Sequence, residues 1–146
     1  ACDVIVAEKC ARFAFPEMNY ALFPGMGAYT FLSRQLGQAQ AERAILDSRT
    51  FSAQELYDLA VVKALADNGN GIAAMDRHLA WMSKRFEAVF AVFEARRKAH
   101  PVSRMEMEDI GERWVKLAMR LPEERLRRMS KLAQAQRLRL RRKGSA

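Results

Sequence analysis

The segment from Phe15 to Tyr29, Phe-Pro-Glu-Met-Asn-Tyr-Ala-Leu-Phe-Pro-Gly-Met-Gly-Ala-Tyr, constrains this chain of 146 residues more than any other. Pro16 fixes one backbone dihedral and so stiffens the turn that carries Glu17. Pro24 bends the chain again, and Gly25 and Gly27 permit conformations and close approaches barred to residues with a Cβ. Between the two bends lies the apolar run Ala21-Leu22-Phe23. Glu17 is the single carboxylate of the segment and sits among Phe15, Met18, Tyr20 and Phe23. An apolar setting strips water from a carboxylate and suits it to acid–base work. The same spacing also fits a surface glutamate on an ordinary loop.

Around this segment the pattern is mixed. Residues 4–7 and Arg12-Phe13-Ala14-Phe15 read as short extended pieces. Ala28 to Leu36 reads as a helix stopped by Gly37, and Gln38 to Asp47 as a second. Ser52-Ala53-Gln54-Glu55 is a capping box, in which serine and glutamate satisfy free N–H groups at a helix start. That helix is expected to reach Leu59, with a strand over Val61–Leu65 and a turn over Asn68-Gly69-Asn70-Gly71. From Ile72 to Phe93 apolar residues recur at helical spacing, which predicts one long helix to Lys98, ended before Pro101. Ser103-Arg104-Met105-Glu106 offers another capping box, and Pro122 suits the first turn of a last helix burying Leu126, Met129, Leu132 and Leu138. The chain thus divides into a small α/β part, residues 1–70, and a helical extension, residues 71–146.

Several motifs stand in an order that matters more than any one of them. Cys2-Asp3-Val4 precedes the strand Val4-Ile5-Val6-Ala7-Glu8, and Phe15-Pro16-Glu17 and Phe23-Pro24-Gly25-Met26-Gly27 follow. Leu36-Gly37, Ala44-Ile45-Leu46, Phe51 to Leu56 and Val61-Val62 complete the series. This series resembles the second half of the crotonase, or enoyl-CoA hydratase/isomerase, superfamily. The resemblance implies a crotonase-like α/β core that is mainly α over this stretch, and an acyl-thioester lyase activity of the hydratase or dehydratase type. It makes Glu17 the second of two catalytic glutamates. The other glutamate and both oxyanion N–H groups fall, in that family, ahead of the point matching Ala1, so the chain alone is expected to be inactive. A truncated or degenerate crotonase with a scaffolding role stays open beside the enzyme.

The helical tail resembles a narrower branch. Glu106-Met107-Glu108-Asp109-Ile110, then Trp114-Val115, Leu126, Met129 and Leu132, are similar to the extension of the diffusible-signal-factor synthases, which act on long-chain 3-hydroxyacyl thioesters. That likeness implies a substrate-binding set of Gly25, Met26, Trp114 and Leu132 along an acyl tunnel. Plain helix packing accounts for Met26, Trp114 and Leu132 equally well. The partner implied is acyl-CoA or acyl carrier protein, with no further cofactor, in a homotrimer or hexamer.

Composition bounds the rest. Half the residues are hydrophobic and 29% charged, a balance that fits a folded domain. Cys2 and Cys10 lack metal-ligand spacing, so reduced thiols in a cytoplasmic protein and no metal are expected. No apolar run reaches the roughly 20 residues that span a bilayer. The net charge of +8 is uneven: residues 1–70 carry a balance of −2 and residues 71–146 one of +10. Arg137, Arg139, Arg141, Arg142 and Lys143 suit the phosphates of a carrier arm or of CoA, or simply a solvated helix face. A nucleic-acid module is the weakest reading, since no recognised binding motif accompanies the charge. His78 and His100 stand alone on helices and read as surface residues.

Overall fold

β1 (Val6–Glu8) and β4 (Ala64–Ala66) run parallel in the computed structural model, with Val6 opposite Ala64. The structure describes residues 2–143, with the side chains of 136 and 139–143 outside that description; the basic residues Arg139, Arg141, Arg142 and Lys143 fall there. Parallel strands need a long crossover. Here it holds β2 (Arg12–Ala14), a 3-10 helix (Pro16–Tyr20), α1 (Ala28–Leu36), α2 (Gln38–Leu46), β3 (Thr50–Ser52) and α3 (Ala53–Asp58). β2 and β3 pair antiparallel, with Phe13 opposite Phe51. Ala7, Ala44, Phe51, Ala53, Leu56, Val61 and Val62 form the core between these elements.

The capping box at α3 is complete. The Ser52 hydroxyl accepts the Glu55 N–H at 3.1 Å, and the Glu55 carboxylate accepts the Ser52 N–H at 2.7 Å. The strand expected over Val61–Leu65 instead occupies Ala64–Ala66. Ala60 takes a left-handed φ of 58°, and the Leu56 carbonyl accepts the N–H groups of both Val61 and Val62. Those two valines therefore close the end of α3 and fill the core before the chain extends.

Beyond the strands the described residues are helical: α4 (Gly71–Ser83), α5 (Phe86–Ala99), α6 (Arg104–Ala118) and α7 (Glu123–Lys143). Glu8, at the end of β1, accepts the N–H of Gly71 at 3.0 Å and so caps α4 from outside its own sequence. The backbone N–H groups of Gly69 and Gly71 hold the Glu8 carboxyl below the usual carboxylate range. The single helix expected over 72–98 is two. Arg85 leaves helical geometry at φ −134°, ψ 25°, and the Ser83 hydroxyl bonds back to the Leu79 carbonyl, a pattern that bends helices. The apolar stripe is also more open than its period suggests, with Ile72 75% exposed. On α7 the expected buried face is likewise open at Leu126, Leu132 and Leu138. Asp3 accepts from both Arg96 and Arg97, which ties the end of α5 to the start of the chain.

Candidate active site

Pro16 opens the 3-10 helix, and Phe15 before it lies outside helical geometry at φ −114°, ψ 80°. Ala21 closes that helix in the left-handed region at φ 57°, and the Leu22 N–H returns to the Glu17 carbonyl at 3.0 Å. This one-turn support fixes the backbone of Glu17 on both sides. Its Oε2 atom is screened from solvent and meets no hydrogen-bond donor among the described residues. Buried carboxylate oxygens are normally satisfied, so one left open calls for an explanation, and a functional role is one.

The Pro24–Gly27 bend carries α6 on its back. Gly25 lies against Trp114, whose indole occupies the space a Cβ would need. A Cβ on Gly27 would fall 2.9 Å from Met107 Cε and 3.2 Å from Phe31 Cε2, and Gly27 also needs its φ of 77°. Met107, Ile110 and Trp114 share one face of α6, at helical spacing.

That face is fastened by a polar cluster. Arg34 on α1 donates to both carboxylate oxygens of Glu106, at 3.2 and 3.0 Å, and also to the carbonyls of Thr30 and Pro101. Thr30, only 2% exposed, donates to the same carboxylate at 2.7 Å. The Arg34 guanidinium and then the Thr30 hydroxyl hold the Glu106 carboxyl below its usual range. Ser103 caps α6 by accepting the Glu106 N–H at 3.0 Å, while the Glu106 carboxylate is turned to α1.

An apolar cavity of about 490 Å³ lies between the 3-10 helix, the Pro24 bend, α2 and α6. Met18, Phe23, Pro24, Ile45, Leu46 and Ile110 supply its walls. At its edge the Tyr29 hydroxyl donates to Glu42 at 3.1 Å, and burial followed by that bond raises the Tyr29 phenol above its usual range.

The site residues read from sequence are distributed as follows. Glu17, Gly25 and Met26 share one segment, and Trp114 joins it through Gly25. Met26 points to solvent, 96% exposed, and Leu132 stands exposed on α7; neither lines the apolar cavity. Thr30 and Arg34 escaped the sequence reading, and Met107 entered it only as part of the helical-tail motif. Their one legible trace is Glu106, placed by its capping position but with no sign of a partner on α1.

Comparison with known proteins bears on the family and the fold. The enoyl-CoA hydratase/isomerase family profile matches residues 1–108. A probable enoyl-CoA hydratase, echA8 of Mycobacterium leprae, is 35% identical in a 104-residue alignment covering 64% of this chain and 40% of that one. The 2,3-dehydroadipyl-CoA hydratase of Escherichia coli is 34% identical over 61 residues, covering 42% and 24%. The chain thus spans less than half the length of these curated relatives. A Streptomyces avermitilis protein of the enoyl-CoA hydratase class superposes with a TM-score of 0.71 at 24% identity, over 92% of this chain and 48% of its own. With the profile running through the Glu17 turn, the glycine bend and both strand pairs, the chain belongs to the enoyl-CoA hydratase/isomerase family.

Proposed function

We propose that this chain supplies one of the two catalytic carboxylates of an acyl-thioester hydratase or dehydratase, and that Glu17 is that group. The observation that carries the reading is the unpartnered, screened Glu17 Oε2 on a backbone turn fixed at both ends. In hydration of a 2-enoyl thioester, the hydroxyl of water adds at C3 and a proton from that water ends at C2; dehydration runs the same path in reverse. A carboxylate with a free oxygen serves either end of that exchange, and a second carboxylate must serve the other. The substrate class is a CoA or acyl-carrier-protein thioester, supported by relatives whose names describe CoA thioester hydratases.

The narrower reading belongs to the same proposal. The resemblance of the helical tail to the diffusible-signal-factor synthases is what favours a long-chain 3-hydroxyacyl thioester and an unsaturated fatty-acid product of that type. A homotrimer or hexamer in the cytoplasm completes it, and the open apolar residues of α5 and α7 favour the assembly alone.

The test is Glu17→Gln in the protein carrying this chain, which keeps shape and hydrogen-bonding capacity but removes the titrating group. Turnover of a 2-enoyl or 3-hydroxyacyl thioester should fall about a hundredfold or more, the usual weight of general acid–base catalysis, with an unchanged circular dichroism spectrum. Activity surviving within about tenfold rejects the assignment.

A further inference from the structure

α6 lies along the segment that leads back to Glu17, and its contacts run in order. Glu106 meets Thr30 and Arg34 of α1, Met107 lies against Gly27, and Trp114, about two turns further on, lies against Gly25. As α6 advances, its partners thus step back along the chain toward the 3-10 helix. Between these contacts Ile110 shares the walls of the apolar cavity with Met18, the neighbour of Glu17.

Packing of this kind is non-directional, so Met107, Ile110 and Trp114 hold α6 down without fixing its rotation. Among the described residues, the side-chain hydrogen bonds that join α6 to α1 all end on Glu106. Arg34 grips both of its oxygens, an arrangement that fixes geometry as well as adding energy. Glu106 therefore sets where α6 stands on the Pro24–Gly27 bend. Gly25 and Gly27 offer α6 bare backbone, so a shift of Trp114 or Met107 presses on the chain itself, with no side chain between to give way. The bend continues back into Leu22, which is buried and whose N–H is bonded to the Glu17 carbonyl at 3.0 Å.

We infer that Glu106 is a positioning residue for Glu17: held by Arg34 and Thr30, it fixes α6 on the bend and, through the bend, the place of the Glu17 carboxylate. The inference rests on the reading of Glu17 as the catalytic carboxylate. A general acid or base works only within hydrogen-bond reach of its proton, and a displacement of about 1 Å from a remote change can cost about a hundredfold in rate.

The test is a cycle of variants in the protein carrying this chain. Glu106→Ala should lower kcat for a 2-enoyl thioester about tenfold or more and leave KM within about twofold, because it slows the chemical step and spares binding. Glu106→Gln, which keeps the Thr30 bond and one Arg34 bond, should recover part of that loss. Residues that act as a unit are not additive, so Glu17→Gln with Glu106→Ala should be no slower than Glu17→Gln alone. A purely structural role would lower the residual rate of Glu17→Gln by the same factor again. Thr30→Val removes the hydroxyl at nearly constant shape and takes the place of Glu106→Ala in the cycle if that variant does not fold. Losses that multiply, a change carried by KM, or an unchanged kcat overturns the inference while Glu17 keeps its role. If Glu17→Gln alone stays within about tenfold of the parent, the Glu17 reading fails first and the inference falls with it.

Discussion

Trp114 stacks its indole where Gly25 has no side chain, so the bend before α1 and the middle of α6 are shaped to each other. Gly25 does not take a left-handed φ, unlike Gly27 at 77°. Its backbone would accept alanine, and the atoms nearest to the added Cβ are those of Trp114. Gly25→Ala should therefore cost about 1–3 kcal/mol, the usual range for overpacking. Trp114→Ala in the same chain should return most of that loss, because the obstruction goes with the ring. Urea unfolding of the two single variants and the double variant checks this; additive losses would mean that the two residues do not meet.

Glu55 gives an expectation about protonation. The Ser52 N–H, then the Arg49 guanidinium and the Ser52 hydroxyl, hold its carboxyl down at about 2. A folded-state value below the unfolded one contributes stability above the ordinary carboxylate range, and that contribution fades as pH falls toward the folded value. The side-chain carboxyl carbon of Glu55, followed by NMR, should accordingly titrate near 2 in the folded chain. Arg49→Ala should move its midpoint upward, and an ordinary midpoint in both proteins would refute the cap as drawn.

What the sequence discloses is set by range. The α3 capping box is legible because Ser52 and Glu55 are three residues apart and answer each other. At α6 the same four-residue pattern places the helix start, but 72 positions separate Glu106 from Arg34, and no period records that. Gly25 and Gly27 are legible as a bend, whereas their second use, making room for Trp114 and Met107, depends on α6 returning to them. The stripe from Ile72 to Phe93 has a true helical period, yet period alone cannot say whether a partner covers it. For the candidate site, the proline turn left Glu17 open between a surface and an acid–base role, the family resemblance singled it out, and the screening of Oε2 required the fold.

The basic end of the chain leads to a salt-dependence measurement. Arg127 and Arg128 are bonded to Glu123 and Glu124 one turn before them, which neutralises part of the charge on α7. Exposed pairs of this kind are weak, but they compete with phosphate for the same guanidinium groups. Affinity for random duplex DNA should therefore be low at physiological salt, with a shallow dependence on salt concentration. A steep slope, signalling many released counterions, would restore the nucleic-acid reading.

The attachment of α6 rests on Glu106, and its removal should be felt at Trp114. Glu106→Gln keeps the size of the side chain and, through its one oxygen, the bonds from Thr30 and one Arg34 nitrogen, but it loses the second Arg34 bond and the carboxylate charge. Charged hydrogen bonds contribute about 1.5–3 kcal/mol. Partial exposure of this pair lowers the expected loss to about 1–2 kcal/mol. Arg34→Lys should lose most of the same amount, because an ammonium cannot bridge both oxygens and reach the Pro101 carbonyl in one plane. The pH dependence has a definite sign. With its carboxyl held below the usual range, Glu106 contributes fully above the ordinary carboxylate value, and less as pH falls through the lowered one. Glu106→Gln should lack that part of the acid sensitivity. Trp81→Phe leaves Trp114 as the sole tryptophan, so its emission reports the docking of α6 directly. Glu106→Gln should shift that emission to longer wavelength while the far-ultraviolet circular dichroism stays constant. Unchanged emission, with unchanged stability across the acid range, would show that α6 is held by Met107 and Trp114 packing alone.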